Sequence, residues 1–205
     1  MRKSGIVVLV LALFLLTGCQ KALPPVQPTA ATLPPESKEI TEPWVPQLLV
    51  TRSGRVLEML WYYYDGEKFP CCGGSRSGLV VSSPGELDLT DIGALTQRMY
   101  LPEENLVYLE DGASLTHLFQ VNLFNCGVFR LKEGVDMEAF ANAWRRNIHS
   151  RTWLDGIPEQ MLLMELDGRH ILMAVGKTQR LRGIQNAAKR VFADSCVLYR
   201  EGIVG

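Results

Sequence analysis

The distribution of proline limits where this 205-residue chain can fold. Seven of its eleven prolines lie in residues 20–46, and each one fixes φ and removes a backbone donor that a helix or a sheet ladder needs. We therefore predict that these residues form an extended, semi-rigid tether, with a docking site for a proline-reading module as the alternative. The folded part is then one domain of ordinary size over residues 47–205.

The first residues have the features of a leader peptide. Two basic residues precede an uninterrupted apolar run at residues 6–16, which is shorter than the roughly 20 residues that a membrane-spanning helix needs. The run ends in Leu-Thr-Gly-Cys at residues 16–19, a sequence similar to the lipobox of bacterial lipoproteins. We predict a signal peptide at residues 1–18 and lipidation of the Cys19 thiol, so that residues 19–46 tether the domain to the membrane. An ordinary secretory signal with a cysteine at the cleavage site is the alternative.

Composition and charge exclude several classes of protein. With 47% hydrophobic and 21% charged residues, the chain is neither collagen-like nor wholly disordered, and it is not a multi-span membrane protein. Loss of Arg2 and Lys3 with the leader reduces the 21 basic residues to 19, against 22 acidic ones. Because nucleic-acid-binding domains are usually basic, we expect no nucleic-acid partner.

Apolar periodicity predicts that the folded part begins with helices. An amphipathic stripe predicts a helix at residues 53–64, and the glycine-rich residues 69–78 predict an irregular loop. A second, short helix is predicted at residues 90–98, with Thr90 or Asp91 as its cap.

The second half is predicted to alternate strands with helices. A first strand is expected to end near residue 121, within a stretch where Asp111-Gly112 could instead form a turn. Further strands are expected at residues 126–132, 161–166, 170–175 and 196–199, and helices at residues 137–148 and 178–192. Asp136 and Thr178 are the expected helix caps, and Asp167-Gly168 is a pair that favours a hairpin turn. We therefore predict an α+β fold with a mostly antiparallel sheet of about four strands. Helices pack on one face of this sheet, and one or two helices precede it.

Four segments of the folded part resemble a known group of proteins. They are Val-Phe-Arg-Leu-Lys-Glu-Gly at residues 128–134, Trp-Arg at 144–145, Gly-Ile-Pro-Glu-Gln at 156–160 and Asp-Gly-Arg-His-Ile-Leu-Met-Ala-Val at 167–175. Together with the lipobox and the tether, they resemble small lipoproteins of Gram-positive anaerobes that share a domain of unknown function. The resemblance implies an extracytoplasmic, lipid-anchored α+β domain, and it implies no catalytic residue.

Four cysteines remain once Cys19 carries the lipid: Cys71, Cys72, Cys126 and Cys196. Outside the membrane they can oxidise, and four thiols allow three disulfide pairings. Cys71 and Cys72 are adjacent, so they could also bind a soft metal or act as a redox pair. There is no C-x-x-C motif, and the other two lie in apolar runs, where a buried cysteine behaves as a small hydrophobe. We expect a structural role for these cysteines, either disulfide-bonded or merely buried, and neither a metal nor another cofactor; a thiol-active protein using Cys71 and Cys72 is the alternative.

No residue pattern marks a catalytic site. The three histidines, His117, His149 and His170, have none of the spacings of metal-ligating histidines. Gly-Ser-Arg-Ser-Gly at residues 74–78 differs from a nucleophile elbow, because its central residue is Arg76 instead of serine. We therefore expect no catalytic residue and a protein that is not an enzyme.

Four consecutive aromatic residues, 61–64, cannot all share one face of a helix with about 3.6 residues per turn. Two of them fit the buried face, which leaves Tyr62 or Tyr63 facing outward. We predict that these rings pack against the tether or the following loop. The alternative, weighed as less favoured, is an expected contact patch for a protein partner or a sugar polymer, made of Trp44, Tyr62, Tyr63 and Phe69.

The anchor, the tether and a domain without a catalytic pattern predict a membrane-anchored extracytoplasmic lipoprotein. Its domain is expected to be a non-enzymatic binding or accessory module of the cell envelope. The expected partners are the membrane, through the lipid on Cys19, and an envelope protein or polymer.

Overall fold

A computed structural model describes residues 52–154 and 156–204 of the protein. The leader, Cys19 and the tether with Trp44 lie outside these residues, so the predictions made for them stay predictions. Within the described residues, no helix has both the length and the apolar character needed to cross a membrane.

The α-helices of the described residues form where apolar periodicity predicts the longer helices. They are α1 (Ser53–Tyr62), α2 (Met137–His149) and α3 (Thr178–Val191). The cap predicted for α2 is confirmed, because the Asp136 carboxylate accepts a hydrogen bond from the Ala139 amide at 3.0 Å. The cap predicted for α3 is wrong. Thr178 is the first helical residue, and its amide donates to the Glu159 carboxylate at 2.8 Å.

The short helix predicted at residues 90–98 is present, but most of it is a π-helix, which is wider than an α-helix. The Asp91 carboxylate accepts from the Ala94 amide at 2.9 Å, as expected near the start of a helix. The chain then forms a π-helix over Ala94–Arg98. Tyr100 follows with a φ of 58°, a backbone angle that residues other than glycine seldom adopt.

Eight strands form one antiparallel sheet in the described part of the chain. They are β1 (Cys71–Gly73), β2 (Val80–Val81), β3 (Gly85–Glu86), β4 (Leu109–His117), β5 (Phe124–Leu131), β6 (Gln160–Glu165), β7 (His170–Gly176) and β8 (Cys196–Gly202). Their order across the sheet is β2-β1-β4-β5-β7-β6-β8, with β3 paired to β4. The prediction of about four strands is wrong, because β1, β2 and β3 are too short to show the alternating pattern of a strand.

The central strands are buried on both faces of the sheet. α1 and α3 pack on one face, against side chains such as Leu115, Val128 and Leu172. α2 packs on the other face, where the rings of Trp144 and Phe129 are in contact. The prediction that the helices lie on one face is therefore wrong. Burial on both faces also explains why the sequences of β6 and β7 are continuously apolar, since such a strand has no solvent-facing side.

One end of the sheet brings together segments that are far apart in the sequence. The connection between β4 and β5 lies there, and β7 ends there, since Gly176 pairs with Phe124, the first residue of β5. α3 follows β7 directly, so its first turn lies at the same end. β1 begins there as well, because Cys71 pairs with His117 at the end of β4. We call this end of the sheet the pocket end.

Candidate functional site

A cavity of about 330 Å³ opens at the pocket end, between the residues that follow α1 and the first turn of α3. Its lining includes Tyr64, Glu67, Lys68, Phe69, His117 and Arg180. A larger cavity, of about 550 Å³, is lined in part by Arg151, but that guanidinium already donates to the carbonyls of Thr96 and Gln97. The smaller cavity is the better candidate because its arginine lacks such acceptors. We call it the cationic pocket.

Close backbone approaches between distant segments set the walls of the cationic pocket. Gly183 lets α3 approach the end of α1, since a Cβ there would lie 2.6 Å from the Asp65 carbonyl oxygen and 2.7 Å from the Tyr64 ring. The Asp65 amide donates to the Gly183 carbonyl at 3.4 Å. On the opposite wall, the Leu118 amide donates to the Pro70 carbonyl at 2.9 Å. The shape of the cavity therefore depends on the fold of the whole domain.

Phe69 forms the aromatic floor of the pocket. Its ring stacks on the His117 imidazole, with ring centres 5.5 Å apart and an angle of 16° between the planes. It also makes edge contacts with Trp61 at 5.2 Å and with Phe124 at 5.1 Å. Such aromatic pairs add to the stability that area burial alone supplies, so the floor is rigid.

Two cations lie over the aromatic rings of this site. The Arg180 guanidinium carbon is 4.3 Å from the centre of the Phe69 ring, and Lys68 Nζ is 3.7 Å from the centre of the Trp61 indole. Lys68 Nζ also donates to the Trp61 carbonyl oxygen. Neither cation forms an ion pair with a carboxylate of the described residues. Both cations therefore lack an ion-pair partner in that part of the chain, although the Glu67 carboxylate lines the same cavity.

Arg180 carries the strongest sign of a missing acceptor. Its Nη1 atom is buried and has no hydrogen-bonding partner among the described residues. A buried donor without an acceptor costs about 1–3 kcal/mol, and more when the group is charged. An oxygen that accepts from this nitrogen would remove that cost, so Arg180 favours the binding of an anion.

His117 is held as a neutral donor. Its Nδ1 accepts hydrogen bonds from the amides of Phe119 at 3.3 Å and Gln120 at 3.2 Å, so the ring proton lies on Nε2. Burial, together with the positive charge of Arg180, lowers the pKa of His117 below its ordinary value of 6.5. The ring is therefore neutral at pH 7, and Nε2–H is left to donate at the cavity that His117 lines.

Burial also shifts the titration of two other lining residues. It raises the pKa of Tyr64 to about 12, although the charge of Arg180 opposes the effect. It lowers the pKa of Lys68, and Cys71 opposes that shift. Tyr64 therefore keeps its hydroxyl proton at neutral pH. The N–H groups of Lys68, His117 and Arg180 match the oxygens of a phosphate or carboxylate, and the rings offer apolar contact.

All four cysteines in the described residues are free thiols: Cys71, Cys72, Cys126 and Cys196. Cys71 is buried in β1, opposite His117 on β4. Cys72 follows in the same strand, so the two side chains point to opposite faces of the sheet. Among residues 52–154 and 156–204, no three His, Cys, Asp or Glu side chains are grouped so that they could hold a metal ion.

A raised pKa makes three of these thiols, Cys71, Cys126 and Cys196, poor nucleophiles. Burial raises the pKa of Cys71, an effect that neighbouring Cys72 strengthens and Lys68 opposes. Burial also raises the pKa of Cys126, and it is the main cause of the raised pKa of Cys196. Since the thiolate is the reactive form, the geometry supports a redox role less well than it supports binding of an anion.

The residues of the expected contact patch are separated in the structure. Tyr62 and Tyr63 are exposed at the end of α1, where their rings make an edge contact at 4.9 Å. The Arg190 guanidinium carbon lies 4.7 Å from the centre of the Tyr63 ring. Phe69 belongs to the floor of the cationic pocket instead, and Trp44 lies outside the described residues.

Sequence reasoning singled out Phe69 but missed the cations that surround it. Lys68 follows α1, His117 ends β4, and Arg180 belongs to the first turn of α3. No short motif joins positions that are 49 and 63 residues apart. The one available signal was Arg180 itself, a basic residue in the first turn of a helix, where the helix dipole disfavours a cation.

Comparison with known proteins adds no relative to this description. No protein-family model matches the chain. Searches of curated proteins and of solved structures also found no match. The likeness to lipoproteins of Gram-positive anaerobes therefore stays an expectation from the sequence.

Proposed function

We propose that the protein is a lipoprotein on the extracytoplasmic face of the cell membrane and that its domain is a non-enzymatic binding module. The leader, the lipobox with Cys19 and the proline-rich tether support the anchoring. The cationic pocket supports the binding role. The ligand is an anionic group, a phosphate or a carboxylate, carried by a component of the cell envelope.

One observation carries the binding role: Arg180 stacks on Phe69 while its buried Nη1 has no acceptor in residues 52–154 and 156–204. A guanidinium that served only to pack against the ring would gain from an internal carbonyl or carboxylate partner, as buried polar groups usually have one. Lys68 and the Nε2–H of His117 add donors at the same cavity. This set of donors is suited to binding an anion.

The role is tested by titrating the mature chain in detergent with inorganic phosphate and, separately, with acetate. Tryptophan fluorescence is the readout, because Lys68 lies over the Trp61 indole. We expect saturable binding of at least one anion, weakened about tenfold or more by Arg180→Gln, since a charged hydrogen bond contributes about 1.5–3 kcal/mol.

Arg190→Gln is the matched control. Arg190 lies on the same helix and also contacts an aromatic ring, but at Tyr63 and outside the pocket. It should leave anion binding unchanged. Equal affinity of the Arg180→Gln variant and the parent, or no saturable binding of either anion, would contradict the proposed function.

A further inference from the structure

Two loops at the pocket end expose apolar side chains. The first, between β4 and β5, exposes Leu118, Phe119 and Val121, and Phe119 is 75% exposed. The second precedes β6 and exposes Leu154, 90%, and Ile157. The loops are joined, because the Asn122 side-chain amide donates to the Gly156 carbonyl. Large apolar side chains gathered at one end of a domain mark an interaction surface.

The first loop is the better suited to leave water. Residues 118–123 carry no charge, whereas the second loop has an acidic residue at position 155 in the sequence. The first loop is also firmly held, since His117 Nδ1 accepts from two of its backbone amides. A held loop loses little conformational entropy when its apolar tip is buried.

The first loop adjoins the cationic pocket. The Phe119 ring lies 6.2 Å from the His117 ring, which stacks on Phe69 under Arg180. Lys68 lines the same cavity. Apolar side chains beside unpaired cations match the two layers of a membrane surface, in which acyl chains lie beneath anionic headgroups.

The chain outside the described residues permits this contact. Residues 20–51 separate Cys19 from the first described residue, and a proline-rich chain extends by at most about 3.1 Å per residue. Such a tether reaches on the order of 100 Å, which lets the domain turn its pocket end toward the membrane that holds the anchor.

We infer that the loop at residues 118–121 enters the membrane surface and that the cationic pocket binds the phosphodiester of an anionic phospholipid headgroup there. This rests on the proposed function, and it names the source of the anion. The apolar loop places the domain at the depth of the headgroups, and Arg180 and Lys68 then select the lipids that carry negative charge.

Depth of insertion is measured with Phe119→Trp in the full lipidated chain. The chain is reconstituted in phosphatidylcholine vesicles, with or without phosphatidylglycerol, whose acyl chains carry bromine as a quencher. Quenching is read relative to the parent chain, which has tryptophans of its own. Val107→Trp is the matched control, because Val107 is 62% exposed and precedes the opposite end of β4. We expect strong quenching at position 119 in phosphatidylglycerol vesicles and none beyond the parent at position 107.

Selection by headgroup is measured by adding Lys68→Gln and Arg180→Gln to Phe119→Trp. The ratio of docked to undocked chains should fall about thirtyfold, since each cation near an anionic surface contributes about a factor of five. Arg182→Gln with Arg190→Gln removes the same charge from exposed positions of α3 and should cost much less. Circular dichroism melting verifies that each variant is folded, and Leu118→Trp repeats the depth measurement if Phe119→Trp is not.

The outcomes separate this inference from the proposed function. Equal quenching at positions 119 and 107 overturns the membrane contact, and binding of soluble phosphate to the pocket would then leave the proposed function standing. Equal docking on neutral and anionic vesicles overturns the selection of anionic headgroups by the pocket, because phosphatidylcholine carries a phosphodiester as well. Envelope cross-linking that joins position 119 to a protein, with no quenching by lipid, assigns the loop to a protein partner and likewise overturns the inference.

Discussion

Two of the arginines that lie over aromatic rings, Arg151 and Arg180, differ in what their guanidinium groups donate to. The guanidinium carbon of Arg151 is 4.8 Å from the Tyr100 ring centre, and that of Arg180 is 4.3 Å from the Phe69 ring centre. Arg151 donates to the carbonyls of Thr96 at 3.1 Å and Gln97 at 3.4 Å. Arg180 Nη1 has no acceptor in the described part of the chain. The two guanidinium groups make the same stacking contact, but Arg151 has internal hydrogen-bond acceptors and Arg180 Nη1 has none among the described residues.

Arg151 belongs to a network of side-chain donors that bind backbone carbonyls, which we call the scaffold network. Five consecutive carbonyls at residues 96–100 accept hydrogen bonds from side chains: Arg151 to Thr96 and Gln97, Asn125 to Arg98, Trp144 to Met99, and Asn147 to Tyr100. These bonds hold a π-helix and the positive φ of Tyr100, a strain of about 1–3 kcal/mol. In this comparison, the satisfied donors of Arg151 support the scaffold, and the unsatisfied Nη1 of Arg180 belongs to a residue that lines the candidate binding site.

The largest expected effect is at Trp144, which the scaffold network uses both as a core residue and as a donor. It is fully buried, its Nε1 donates to the Met99 carbonyl at 3.0 Å, and its ring contacts Phe129. Trp144→Ala should lower the free energy of unfolding in urea by about 3–5 kcal/mol. Trp144→Phe, which keeps most of the packing, should lower it by about 1–2 kcal/mol. A loss below 1 kcal/mol for Trp144→Ala would show that this network does not support the fold.

Next in size is the direct test of the two arginines. Arg151→Gln should lower the free energy of unfolding by about 1–2 kcal/mol, because two backbone carbonyls lose their donor. Arg180→Gln should change it by less, because no hydrogen bond within the described residues is broken, and because loss of the contact with Phe69, about 0.5–2 kcal/mol, opposes the relief of the unpaired donor. Anion binding should respond in the opposite way, with a large loss only for Arg180→Gln. Similar unfolding free energies for the two variants would mean that the contrast between the networks has no energetic basis.

The parts of the fold that sequence predicted are those with local signals. The helix capped by Asp136 and the strands that flank Asp167-Gly168 are each specified within a few residues. β1 to β3 were missed because two or three residues carry no period, and their pairing with β4 and with each other depends on partners far along the chain. The continuous apolar runs of β6 and β7 indicated that helices cover both faces of the sheet, but the prediction of helices on one face did not use this signal.

The site was less predictable than the fold because its geometry is entirely nonlocal. His117 reaches Phe69 through the pairing of β1 with β4, and Arg180 reaches it through the packing of α3 on α1. The sequence places Lys68 beside Phe69, but nothing in it shows that no carboxylate will approach. Only the folded domain shows that Arg180 Nη1 has no acceptor among the described residues.

The smallest expected effect concerns the titration of His117. Its pKa is lowered by burial and by the charge of Arg180, so the unfolded chain binds a proton more readily than the folded one. The contribution of this residue to stability is therefore complete above the ordinary value of 6.5 and is lost as pH falls from 6.5 toward the folded pKa. Arg180→Gln should raise the pKa of His117 toward its ordinary value and reduce that loss. Arg190→Gln should do neither, because Arg190 contacts Tyr63. Imidazole proton shifts followed by NMR between pH 4 and 8, roughly the range around an ordinary histidine, give the pKa in each variant. A pKa that is the same in the Arg180→Gln variant and the parent would show that the guanidinium charge is compensated in solution, and Arg180 would then belong with Arg151 as a scaffold residue.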